Sequence, residues 1–259
     1  MLKGFGLYAN FGYPLKMDER AKIIKAAGFQ AASLWWEEYD PVNEIPLLKQ
    51  PEVLQRAGLA IDYVHAPFIN INDIWTNSRF AQDCVQAHCR WLEECACFAI
   101  PILVMHVTLF DLAYYPNEFG LDNLRRIVAK AEEQEVTLAL ENVGNTDHLE
   151  YLLDRIASPY LKLCYDSSHN WVFTPHKAPQ LLEKYIDRLA CTHLSDNDQK
   201  EDRHWLPGRG KVDWPGLKQI WQKHNYSSYL SLEVFPQDYQ QKPEDFVQEA
   251  WDSVQSLNY

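Results

Sequence analysis

The sequence predicts one α/β domain, a single-domain (β/α)8 TIM barrel over residues 1–259, and three observations point to it. Short apolar, β-rich runs alternate with longer amphipathic ones eight times along the chain. The length of 259 residues is close to that of a typical single barrel. No composition shift or linker divides the chain.

The apolar runs are FGLY (5–8), FQAASLW (29–35), LAIDYVH (59–65), ILVMH (102–106), VTLALE (136–141), LKLCYD (161–166), LACTHL (189–194) and YLSLEV (229–234). Near-continuous apolar runs suit strands buried on both faces of a parallel sheet. Between them lie helical patterns. ERAKIIKAAG (19–28) ends on Gly28, where a helix C-cap belongs. AQDCVQAHCRWLEECACF (81–98) and LDNLRRIVAKAEEQ (121–134) also read as helices. A doubly wound open sheet is the alternative. No Gly-x-Gly-x-x-Gly follows the first strand, so no nucleotide cofactor is expected.

The ends of these runs carry the functional signal. They close on or beside His65, His106, Glu141, Asp166, His193 and Glu233, which is six of the eight predicted strands. His169 follows Asp166 by three residues. Barrels of this kind keep their chemistry at the C-terminal ends of the strands. A single strand-end histidine or glutamate is ordinarily a hydrogen-bonded or ion-paired structural residue. Six together are costly to bury unless a cation collects them. A divalent metal (Mn, Mg, Co or Zn) is therefore expected at the barrel mouth, with Glu141, Asp166, His193 and Glu233 as the firmest ligand set. Further ligand candidates are His65, His106, His169, Asp202 and His204. The last two sit in DRHWLPGRGKVDW (202–214), a loop after the seventh strand that would overhang the same mouth. His88, His148, His176 and His224 lie away from strand ends and read as structural or solvated.

Hydrophobic residues make up 47% and charged residues 23%, enough for a sizeable core. The formal charge of −12, from 24 basic and 36 acidic residues, argues against a nucleic-acid partner, because phosphate contact needs Lys and Arg. The six cysteines do not look like a disulfide framework in a chain this long. Cys84 and His88 would share a helix face. A zinc site there is the minor reading, and cysteine as a small buried hydrophobe the main one. The start, MLKGFGLYANFGYP, lacks a basic region followed by a long apolar run, and no stretch reaches membrane-spanning length. A soluble, cytoplasmic protein without membrane contact is expected.

YVHAPF, LVMH, LALENVG, LCYDSSHN, CTHLSDND, DRHWLPGRGKVDW and LSLEVF, in this order, resemble the xylose isomerase-like barrel superfamily over nearly the whole chain. That superfamily includes sugar and sugar-phosphate isomerases and epimerases, and endonuclease IV. The epimerase-like branch implies one divalent metal on Glu141, Asp166, His193 and Glu233. The endonuclease branch implies three zinc ions on those four together with His65, His106, His169, Asp202 and His204, and all nine are present. Three departures favour the first branch. FGLYANFGYP and KIIKAAGFQAASLWW look epimerase-like, and the His-Val-Ser with a Gly-rich stretch usual near the start of the endonucleases is missing. Gly-x-Gly followed by Val-Asp-Trp is epimerase-like too. Finally, Arg203, Arg209 and Lys211 are the only basic cluster near the mouth.

The expectation is thus a metal-dependent isomerase or epimerase of a sugar, sugar phosphate or related polyol, working by proton transfer through an enediolate. Glu141 and Glu233 would serve as general base and acid, and His169 would hold substrate hydroxyls. His65, His106, Trp35, Trp171 and Arg203 would contact substrate, with Trp36 and Trp205 as further aromatic candidates. The alternative is an abasic-site phosphodiesterase resembling endonuclease IV. The partner is a small sugar-like molecule, and a homo-oligomer is a family-level expectation.

Overall fold

The computed structural model describes residues 2–38, 42, 45–109 and 114–257. Eight strands and the helices between them run β1 (Gly4–Tyr8), α1 (Met17–Ala27), β2 (Ala31–Trp35), α2 (Gln50–Arg56), β3 (Ala60–His65), α3 (Arg79–Cys97), β4 (Ile102–Met105), α4 (Glu118–Gln134), β5 (Thr137–Glu141), α5 (Asp147–Arg155), β6 (Leu161–Asp166), α6 (Ser167–Phe173), α7 (Gln180–Tyr185), β7 (Leu189–His193), α8 (Trp214–Lys223), β8 (Tyr229–Leu232) and α9 (Pro243–Ser256). All sheet pairings are parallel, in the order β7-β6-β5-β4-β3-β2-β1-β8. The two ends of that order meet. Leu194 N–H donates to Ser231 O at 2.9 Å and Glu233 N–H donates to Leu194 O at 3.1 Å, closing the barrel just beyond β7 and β8.

Each predicted strand forms: β6 matches its apolar run, β1 begins one residue earlier, and the other six are a residue or two shorter. Backbone pairing stops where the chain turns out toward the mouth, which leaves His106, Leu194 and Glu233 just past their strands. Gly28 caps α1 as expected, at φ +117°, which L side chains rarely adopt. A Cβ there would also stand 2.9 Å from the Trp251 ring, so the position is doubly restricted. The 81–98 segment is α3, started by Ser78, whose hydroxyl accepts from Ala81 N–H.

Two cores hold the layers together. Tyr63, Ile102, Val104, Ala139, Cys164, Ala190 and Cys191 fill the barrel interior, and a larger set packs between strands and helices. All six cysteines are free thiols. Cys84 and His88 do share a face of α3, but His88 Nδ1 lies 2.8 Å from Cys84 O, and no metal-type cluster among the described residues includes them. Among the described residues, no helix is long and apolar enough to cross a membrane.

Inside the barrel, Asp62 of β3 accepts a 2.5 Å hydrogen bond from the Ser231 hydroxyl of β8. Burial pushes its carboxyl up to about 7, against the pull of that hydrogen bond and of Lys3. A folded chain that keeps this proton, while the unfolded chain releases it near pH 4, loses stability as pH rises from about 4 to about 7. Asp62→Asn is expected to remove that slope. The variant should match wild type near pH 4 and exceed it at pH 8 by up to about 4 kcal/mol, in denaturant titrations at both pH values. A gain of equal size at both would refute the assignment.

Candidate active site

Parallel strands bring their C-terminal ends to one face, and the predicted residues meet there. His65, Glu141, Asp166 and His193 are the last residues of β3, β5, β6 and β7. His106 and Glu233 follow β4 and β8 by one residue. His169 stands in the first turn of α6, started by Asp166, whose Oδ1 accepts from His169 N–H at 2.7 Å. One residue thus caps a helix and turns its other oxygen to the site.

Glu141 is the hub. Its Oε2 lies 2.9 Å from His65 Nε2 and 3.1 Å from His106 Nε2, and its Oε1 lies 3.1 Å from His169 Nδ1 and 3.3 Å from His193 Nδ1. His193 Nδ1 is also 2.8 Å from Glu233 Oε2. On the other side, Asp202 Oδ2 lies 3.1 Å from His169 Nε2 and 3.0 Å from His204 Nε2, while Ser168 donates to Asp202 Oδ1 at 2.6 Å. All nine expected residues therefore form one contiguous network. All but Asp202, His204 and Glu233 are buried.

Four carboxylates share this space with five histidines, and their ionisation reflects it. Burial opposes the charge of Glu141, but His193 and His106 hold its carboxyl well below the usual range. Glu233 is held down at about 2, burial again opposing and His193 winning. Asp166 goes the other way: burial pushes it up to about 7, with Glu141 and Asp202 adding to the rise. Burial lowers His106 to about 4, whereas Asp202 overcomes burial to raise His204 to about 9.

The donor set fits a divalent cation. Among the described residues, buried Asp166 Oδ2 has no hydrogen-bond donor, and the close approach of His193 Nδ1 to two carboxylates lacks hydrogen-bond geometry. Three triads, His65–Glu141–His193, Glu141–Asp166–His169 and Asp166–His193–Glu233, each keep their ligand atoms within 4.8 Å of one another. Carboxylate oxygens with imidazole nitrogens suit Mn, Mg, Co or Zn.

Above this network opens a cleft of about 410 Å³, lined by Glu141, His169, Asp202, His204 and Glu233 below and by aromatic rings at the sides. Trp35 stacks on His65 (5.2 Å between centroids) and Phe68 stacks on His106 (4.3 Å). These ring contacts fix the two imidazoles in place. Two residues expected to contact substrate lie outside this cleft. Trp171 packs into the core behind α6 and does not line the cleft. Arg203 is drawn aside by Asp198 at 3.3 Å and Glu201 at 2.7 Å, outside the cleft lining. Trp36, whose Nε1–H donates to Glu94, and Trp205, beneath the Arg203 guanidinium, are also outside it. The cleft adds Tyr8, Asn10, Phe68, Leu109 and Phe235. Tyr8 ends β1, so the strand-end rule that singles out the acids and histidines extends to it.

The sequence pattern that defines the xylose isomerase-like TIM barrels matches residues 21–256. The chain belongs to that family. Within it, the chain is 29% identical over 181 residues to a probable endonuclease 4 of Mycoplasma mobile, covering 61% of this chain and 62% of that protein. It is 25% identical over 156 residues to an inosose dehydratase of Clostridium perfringens, covering 50% and 52%. The chain spans about half the length of the first curated relatives it matches. A solved D-psicose 3-epimerase of Clostridium cellulolyticum H10 superposes with a TM-score of 0.77 over 100% of this chain and 99% of that one, at 12% identity, a likeness of fold. The chain's sequence relatives thus include a dehydratase and a probable endonuclease, and its fold is shared with a sugar epimerase.

Proposed function

We propose that this chain is a divalent-metal-dependent isomerase or epimerase of an unphosphorylated sugar or related polyol. One observation carries the reading: Glu141 and Glu233, from β5 and from just beyond β8, both face the cleft and both approach the same imidazole, His193. Two carboxylates flanking one substrate position are what removal and return of a carbon-bound proton require. Glu233 takes the proton beside the carbonyl, and Glu141 returns it. His169 holds a substrate hydroxyl, and Trp35, Phe68 and Phe235 cover the C–H faces of the ring and keep water out. A cation held by Glu141, Asp166, His193 and Glu233 would supply Lewis-acid stabilisation of the developing negative charge.

The cleft's charge supports a neutral substrate. No Lys or Arg lines it, the residues outside the described set contain none, and the His204 imidazole at its floor is already paired with Asp202 at 3.0 Å. In D2O, metal-loaded protein is expected to exchange the proton beside the carbonyl of a free ketose or inosose. The corresponding phosphate ester should react with kcat/KM lower by about ten-fold or more. Preference for the ester would overturn the neutral reading, and absence of exchange across the panel the proton-transfer reading. If exchange is accompanied by loss of water, the proton step stands and the chain is a dehydratase.

A second reading, a zinc phosphodiesterase, is favoured by the contiguity of all nine residues. Cleavage of abasic-site DNA by zinc-loaded protein would establish it, and inertness would remove it.

A further inference from the structure

Asp196 lies just past β7, fully buried and outside the cleft lining. Four N–H groups converge on its carboxylate. Asn197 N–H and Val212 N–H donate to Oδ1 at 2.8 and 3.0 Å, and Gly208 N–H and Trp214 Nε1–H donate to Oδ2, both at 2.9 Å. Its backbone pairs with Trp205 in both directions, at 2.8 and 3.0 Å. One residue therefore grips the β7–α8 loop at four places along its length, directly after His204 and on into the first residue of α8.

The grip bears on the site through short links. His204 sits at φ +48°, in the left-handed region that few non-glycine residues adopt, and is the neighbour of the Trp205 that Asp196 pairs with. That conformation brings its Nδ1 3.1 Å from Glu233 O and its Nε2 to Asp202. Next to Asp196, the Asn197 amide donates to the Ser168 hydroxyl at 3.0 Å, and that hydroxyl in turn holds Asp202. Gly210 leaves the loop room to close: a Cβ there would stand 2.1 Å from Asn197 O and 2.4 Å from Asp196 Oδ1.

We propose that Asp196 is a positioning residue, whose carboxylate folds the 196–214 loop so that Asp202 and His204 face the metal-binding mouth. The role concerns the site of the preceding proposal and rests on that reading. A carboxylate suits it because every contact is a donor. The amide of an asparagine would turn its own NH2 against two of the four.

The test is Asp196→Asn in the full chain, with two readouts. The first is zinc affinity against a competing chelator, expected to weaken by about ten- to a hundred-fold, as when an outer partner of a metal ligand is lost. The second is tryptic cleavage at Lys200, Arg203, Arg209 and Lys211, expected to accelerate by about ten-fold or more. Asp213→Asn, which alters only the α8 N-cap, should leave zinc affinity unchanged. Gly210→Ala gives an independent route should Asp196→Asn fail to fold, because it displaces the loop with Asp196 intact. Unchanged zinc affinity and cleavage in the folded variant would overturn the role. If wild type takes up no zinc, the metal reading fails by itself, and the cleavage rates still decide whether Asp196 holds the loop.

Discussion

Glu233→Gln is expected to lower kcat by about a thousand-fold while leaving the thermal midpoint within a few degrees of wild type. The amide has the size and shape of the carboxylate but cannot accept a proton. Glu233 is the more open of the two glutamates, 19% exposed against 2% for Glu141, so a change there perturbs little packing. It is also held ionised, at about 2, because the pull of His193 and then His204 outweighs burial. A base kept charged is ready to act at neutral pH. Metal content measured on the same sample separates its two assigned roles. Metal retained with turnover lost marks a proton carrier, and loss of both marks a ligand first. Full turnover with metal in place would end the assigned mechanism.

Removing the metal is expected to have the second large effect. Glu141, Asp166, Asp202 and Glu233 crowd one site, and no donor among the described residues stabilises Asp166 Oδ2. Buried charges this close are tolerated when a cation joins them and are costly when it leaves. Dialysis against chelator should abolish turnover and lower the thermal midpoint by about 5–15 °C, the shift for a ligand present at some hundred to a thousand times its dissociation constant. Re-addition of Mn, Mg, Co or Zn in turn should restore both and identify the working ion. Elemental analysis beforehand sets the count. About one ion per chain supports Glu141, Asp166, His193 and Glu233 alone. About three zinc ions would bring in His65, His106, His169, Asp202 and His204, and would move phosphodiester substrates to the front. A midpoint and activity indifferent to chelator would refute a resident metal.

Much of the site is legible in the chain because a parallel barrel converts a one-dimensional rule into a place. An acid or imidazole at the end of a buried apolar run has one direction to go, and eight such ends point to the same face. Hence Glu141, Asp166 and His193 are recognisable from LALE, LCYD and CTH. The rule also reaches Tyr8, which chemistry-bearing residue types alone did not single out.

Outside the strands that rule stops. Arg203 and His204 are neighbours in one loop, equally polar and equally near the seventh strand. One is drawn off by Asp198 and Glu201, and the other turns at φ +48° into the mouth. Trp35 and Trp36 divide in the same way, the first stacking on His65 and the second turning to Glu94.

Periodicity and strand polarity are local properties of the chain, and they were enough to specify the barrel and to gather its acids and histidines at the C-terminal ends of its strands. Packing between segments selected which loop side chains enter the cleft and which rings wall it, and brought four N–H groups onto the Asp196 carboxylate. Those outcomes depend on how separate segments meet in space, as when the Glu233 carbonyl receives His204, and no hydrophobic periodicity encodes them.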